Sequence, residues 1–130
     1  MAGELILIVE DNEKNRKLER DILQFHGYRT VEADTAEEGI RLAQATPPAL
    51  VLMDIQLPGM NGIEALHELR ADPRTRAIPV IAVTASVMTQ DRQKIMAAGF
   101  DGYQAKPIEV TQFVAAVHTA VGRPAQGDPP

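Results

Sequence analysis

Three short runs of branched apolar residues set the frame: Leu5-Ile-Leu-Ile-Val9, Leu50-Val-Leu-Met53 and Pro79-Val-Ile-Ala-Val83. None alternates with polar residues, so each reads as a strand buried on both faces. Between them lie polar stretches whose apolar residues recur at helical spacing. Thr30 to Ala33 and Gly102 to Ala105 read as two further, weaker strands. Strands that alternate with helices imply an α/β fold: a mostly parallel sheet covered on both faces.

The helices are punctuated by turn residues. In the first, Leu18, Ile22, Leu23 and Phe25 are spaced for one face, and Gly27 stops it. Thr35-Ala-Glu-Glu38 matches a capping box, followed by Ala36, Ile40 and Ala43 at helical spacing, and Pro47-Pro48 ends that helix. Pro58-Gly-Met-Asn-Gly62 is turn chemistry, with Asn61 as N-cap for a helix carrying Ile63, Leu66 and Leu69. A fourth helix runs from about Thr89 to Ala98 and stops at Gly99. Val110, Phe113, Val114, Val117 and Val121 mark a fifth, stopped by Gly122 and Pro124. The domain is expected over residues 1–122. Residues 123–130, rich in Pro and Gly, have nothing to bury and are expected to form a flexible tail.

Composition narrows the chemistry. The 130 residues fit one domain able to bury a core without staples. There is no cysteine, which excludes disulfides, a thiol nucleophile and Cys-ligated metals. A net charge of −5 opposes direct nucleic-acid binding. No apolar run approaches the ~18 residues of a membrane span. No basic, apolar leader opens the chain, so no membrane insertion and a cytoplasmic location are expected.

In parallel sheets ligands bind beyond the carboxyl ends of the strands. Here the first strand runs into Glu10-Asp11, the third into Asp54, the fourth into Thr84 and the fifth into Lys106-Pro107. Three carboxylates, a hydroxyl and an ammonium would converge on one rim. Such carboxylates repel unless a cation lies among them. Oxygen donors without His or Cys suit Mg²⁺. A carboxylate beside the metal can act as nucleophile, and the lysine would balance a phosphoryl group. The constellation reads as metal-assisted phosphoryl transfer onto an aspartate. Singly, each residue would be an ordinary cap or surface charge; the set in strand order carries the reading.

Glu10-Asp11, Asp54, Thr84-Ala85 and Lys106-Pro107, with Pro58, Gly62 and Tyr103, closely resemble the receiver domain of bacterial two-component response regulators, over roughly Leu5 to Val121. The stretches Ile8-Val-Glu-Asp-Asn12 and Leu52-Met-Asp-Ile-Gln-Leu-Pro58 resemble stand-alone regulators of the DivK kind, or receivers attached to hybrid kinases. The resemblance implies a flavodoxin-like, doubly wound, five-stranded sheet of order 2-1-3-4-5 with five helices. It implies that Asp54 accepts a phosphoryl group from a histidine kinase or phosphotransferase. Asp11, Asp54 and the carbonyl of Gln56 would hold Mg²⁺, with Glu10 acting through a bound water. Lys106 and Thr84 would meet the phosphoryl oxygens. Thr84 and Tyr103 would form the switch, and the Lys106-Pro107 bond would be cis. Gln56 and Ser86 would tune the phosphoryl lifetime. The output would be a downstream target protein bound by the fourth helix, fifth strand and fifth helix. The alternative is a receiver domain excised from a hybrid kinase or larger regulator.

Other classes fit less well. A phosphatase with an aspartyl-phosphate intermediate would want a second acid where Gln56 stands. A dinucleotide site would want Gly-x-Gly-x-x-Gly where Glu10-Asp11 stands. A receiver that works without phosphorylation would not need the intact acid, Thr and Lys set. His26, His67 and His118 fall on separate helices and read as surface or half-buried side chains, not catalysts.

Overall fold

The structure, a computed structural model, describes residues 3–85 and 89–122. Ser86 and the 123–130 tail lie outside the described residues. In chain order the elements are β1 (Leu5–Val9), α1 (Glu13–Phe25), β2 (Arg29–Ala33), α2 (Ala36–Ala45) and β3 (Leu50–Asp54). They continue as α3 (Gly62–Ala71), β4 (Val80–Thr84), α4 (Thr89–Ala97), β5 (Gly102–Ala105) and α5 (Val110–Ala120). The strands form a single sheet of order β2-β1-β3-β4-β5, every pairing parallel. The expected order is therefore observed, with its switch point between β1 and β3.

The uninterrupted apolar runs are explained by two core layers. Leu7, Val9, Val51, Met53, Val80 and Ala82 pack with α2, α3 and α4 on one face. Ile6, Ile8, Leu50, Leu52, Ile81 and Val83 pack with Leu23 of α1 and Phe113 and Val117 of α5 on the other. Alternate side chains of one strand thus enter opposite layers, and both must be apolar. Each fully buried aliphatic side chain contributes roughly 2 kcal/mol.

The caps follow local chemistry. Asn61 and Glu64 form a reciprocal capping box at α3. At α2 the Thr35 side chain accepts from the Glu38 amide, which is the N-cap half of the expected box. Gly27 and Gly99 end α1 and α4 with φ of +89° and +109°, a conformation costly for other residues.

Two helical faces depart from expectation. In α1, Leu18 is 41% and Phe25 85% exposed, whereas Glu19 and Leu23 are buried. The inward row is the i, i+4 pair Glu19–Leu23, so a polar residue occupies a core position. In α5, Val110 is exposed and His118 is buried. His118 hydrogen-bonds the Tyr28 hydroxyl and meets the edge of the ring of His26, which is half-buried as expected.

The rim at the amino ends of the strands is closed by Asp101. Its carboxylate accepts from the Val80 amide at 2.8 Å and from Arg70 at 2.9 Å. That joins the start of β4, the end of α3 and the entry to β5.

Candidate functional site

At the opposite rim the strand ends deliver their polar residues to one place. Glu10 follows β1 and is 1% exposed; its backbone amide donates to the Ala33 carbonyl at 3.0 Å. The Arg16 guanidinium donates to the Glu10 carbonyl at 2.8 Å, which pins the turn into α1. The Asn12 amide donates to Glu10 Oε2 at 3.0 Å. Asn12 is also the N-cap of α1, its side chain accepting from the Asn15 amide. Asp11, between them, is exposed.

Asp54 closes β3 and is 3% exposed. The Gln56 amide donates to Asp54 Oδ1 at 3.0 Å and so orients the carboxylate. The chain then turns sharply enough that the Gly62 amide reaches the Ile55 carbonyl at 3.1 Å. Gly62 needs its missing side chain: a Cβ there would lie 2.5 Å from the Asp54 carbonyl oxygen.

Carboxylate oxygens of Glu10, Asp11 and Asp54 lie within 4.8 Å of one another. Lys106 stands over them, its Nζ 2.7 Å from Glu10 Oε1 and 3.1 Å from Asp54 Oδ2. The Lys106-Pro107 peptide is cis, as the sequence predicts. The Lys106 amide donates to the Thr84 carbonyl at 2.8 Å. Thr84 itself is fully buried at the end of β4. Glu10, Asp11, Asp54 and Lys106 are therefore brought together, with Gln56 joined through its amide and Thr84 through its carbonyl. Tyr103 lies on the edge strand β5, in register with Ala82, and carries the Arg92 guanidinium 5.3 Å from its ring centre.

The electrostatics follow from crowding. Burial holds the Glu10 carboxyl above its ordinary range; the Asp54 charge adds to this, while Lys106 and the Asn12 amide oppose it. Burial works against the charged form of Lys106. The hydrogen bonds and charges of Glu10 and Asp54 outweigh it, so the ammonium is held above its usual range. One ammonium against three carboxylates leaves a local excess of negative charge. All donors are hard oxygens, a set that suits a small divalent cation.

Glu19 was not legible as part of this neighbourhood. It is 1% exposed, and its Oε2 has no hydrogen-bond partner among the described residues. Burial first, then the Glu10 charge, pushes its carboxyl up to about 8. The only sequence signal was its i, i+4 spacing to Leu23. Arg16 was likewise invisible as a site support, because it acts through the Glu10 backbone carbonyl; Gly62, named with the motif, supports the site through having no side chain.

The family model of the response regulator receiver domain matches residues 6–118. The chain belongs to that family. It is 43% identical over 117 residues to the polar-differentiation response regulator DivK of Brucella ovis, covering 90% of this chain and 95% of that one. Its fold is similar to the receiver domain of a sensor histidine kinase from Pseudomonas aeruginosa, with a TM-score of 0.86 and 33% identity over 93% of this chain and 99% of that one. That receiver carries a magnesium ion in its active-site cleft. A LuxR-family response regulator from Aurantimonas is also similar, with a TM-score of 0.84 and 31% identity over 95% of this chain and 89% of that one. The expected family and fold are thus both observed. No described helix is long and apolar enough to cross a membrane.

Proposed function

We propose that this chain is a DivK-like response regulator, a switch that accepts a phosphoryl group on Asp54 and changes a protein-binding face. The carrying observation is the placement of Lys106 Nζ between Glu10 and Asp54, over three clustered carboxylates. The donor is a phosphohistidine on a histidine kinase or phosphotransferase. An Asp54 carboxylate oxygen attacks phosphorus, the P–N bond to the imidazole breaks, and an acyl phosphate forms on Asp54. Asp11, Asp54 and the Gln56 carbonyl would hold Mg²⁺, with Glu10 acting through a bound water, and the ion would supply positive charge between the acids and the phosphoryl oxygens. The Gln56 amide already orients Asp54, which spares the nucleophile a search for its reactive rotamer. Lys106 then moves its ammonium from the acids to the new oxygens, and the Thr84 hydroxyl donates to the same group. Tyr103 turns inward as Thr84 moves.

The phosphoryl group is the signal and not a product; water later hydrolyses it on the same residue. The receiver unit spans residues 1–122, and its output runs through α4, β5 and α5 to a downstream protein in the cytoplasm. The likeness to a kinase-borne receiver supports a second setting for the same chemistry, as the receiver of a hybrid kinase.

The test is incubation with Mg²⁺ and acetyl phosphate, borohydride reduction of the acyl phosphate to homoserine, and peptide mass mapping. Reduction should fall in the peptide from Leu42 to Arg70, at Asp54. Modification at any other residue overturns the assignment.

A further inference from the structure

Helix α4 and strand β5 meet at a cation–ring contact that the site chemistry does not use. The exposed Arg92, near the start of α4, holds its guanidinium 5.3 Å from the centre of the Tyr103 ring. That is within the range of a cation–π attraction. Tyr103 is half-buried and packs against the core layer under α4. Near this contact the helix supplies Ile95, buried in the same layer, while its flanking residues Gln93 and Lys94 face solvent. Arg92 thus ties α4 directly to the β5 ring.

We infer that Arg92 is a positioning residue for the switch, a latch that holds Tyr103 in its resting orientation. This rests on the reading above, in which Tyr103 turns inward when Asp54 carries a phosphoryl group. The attraction depends on the guanidinium lying over the ring face. Turning the ring away removes it, so Arg92 favours the resting state and does nothing for the switched one. Only such a differential interaction can move a two-state equilibrium. An exposed cation–π contact shifts the balance roughly two- to fivefold. The latch therefore sets the threshold of the switch without touching the phosphoryl chemistry. It also makes α4 a sensor of Tyr103: once the ring leaves, the guanidinium is released on the output face.

The experiment uses full-length protein with 3-fluorotyrosine in place of both tyrosines, Tyr28 and Tyr103. Tyr28→Phe assigns the two fluorine resonances. Beryllofluoride with Mg²⁺ serves as the phosphoryl mimic. In Arg92→Gln the Tyr103 resonance should start closer to the mimic-bound position, and half-response should need about two- to fivefold less beryllofluoride. Arg92→Lys, which keeps a cation, should fall between Gln and wild type. If Arg92→Gln matches wild type in both starting position and half-response while the wild-type ring does respond, the latch is wrong and the switch stands. If the wild-type Tyr103 resonance ignores saturating beryllofluoride, the switch reading fails and takes the latch with it.

Discussion

Lys106 Nζ is closer to Glu10 Oε1, at 2.7 Å, than to Asp54 Oδ2, at 3.1 Å. The lysine is therefore held by both acids at once, with its hydrogen bond going to Asp54. Lys106→Ala removes the ammonium that, among the described residues, pairs with these buried acids. Breaking a buried pair costs about 3 kcal/mol, and urea unfolding at pH 7 should show a loss of that order. The amide NMR shifts of residues 89–121 should also respond far less to beryllofluoride than in wild type. A response of wild-type size at saturating mimic would separate Lys106 from the output face.

Asp54→Asn should abolish acyl phosphate formation and keep the fold. The amide is nearly isosteric but a poor nucleophile, and it removes one of three clustered negative charges. In EDTA the variant should be more stable by about 1 kcal/mol, since like charges held close in a partly buried site repel. Thermal unfolding in EDTA checks the gain; phosphate incorporation from acetyl phosphate checks the loss.

Metal removal should silence the site. Three carboxylates repel an incoming phosphoryl dianion, and one ammonium does not offset them. Phosphorylation from acetyl phosphate should stop in excess EDTA and return with Mg²⁺. Binding to the folded state alone should also raise the melting temperature as Mg²⁺ increases. Incorporation that is indifferent to EDTA would remove the metal from the mechanism.

Glu19 gives the chain a pH-dependent weakness. Its carboxyl is pushed up to about 8 in the fold from an ordinary 4.5. Between those values the unfolded chain ionises Glu19 and the folded chain does not. The unfolded state then binds fewer protons, so stability falls as pH rises from 4.5 to 8 and levels off above. At ~1.4 kcal/mol per pKa unit, the loss reaches about 4 kcal/mol at pH 8. Glu19→Leu should abolish this slope, and the gap between variant and wild type should widen steadily from pH 5 to pH 8. Parallel stability curves for the two proteins would show that Glu19 is ionised in the fold.

Gly62→Ala tests the turn that follows Asp54. The new Cβ would lie 2.5 Å from the Asp54 carbonyl and 2.9 Å from Ile55 Cα, both backbone atoms that cannot swing aside. Overpacking of this kind costs about 1–3 kcal/mol. Phosphorylation should slow by more than stability alone explains, because the displaced backbone bears the nucleophile. A variant with unchanged rate and melting temperature would show that the turn yields freely.

The fold was legible because its signals are redundant. Fully apolar strands, glycine stops and caps all point to one alternating α/β order, and the strand ends name the site without any distance. What stayed hidden depends on which way a helix faces. Leu18 and Phe25 satisfy an apolar spacing as well as Leu23 does, yet α1 is turned so that Glu19 lies inward. Tertiary packing decided that rotation: Asn12 caps the helix, Arg16 ties it to the Glu10 carbonyl and Leu23 enters the core. His118 was misplaced for the same reason. Its partner Tyr28 lies 90 residues away in the chain, beyond what any local spacing can report.

The Asp101 carboxylate serves Val80 on one strand and Arg70 on a helix from its own place ahead of another strand. It marks a seam for recombination. A chimaera that replaced the segment from α4 onward with that of another regulator would inherit or lose this acid at the junction. A graft that carries Asp101, or keeps Arg70 matched to its substitute, joins cleanly. One that does not leaves the Val80 amide and the Arg70 guanidinium without that carboxylate, at the rim remote from the acid cluster.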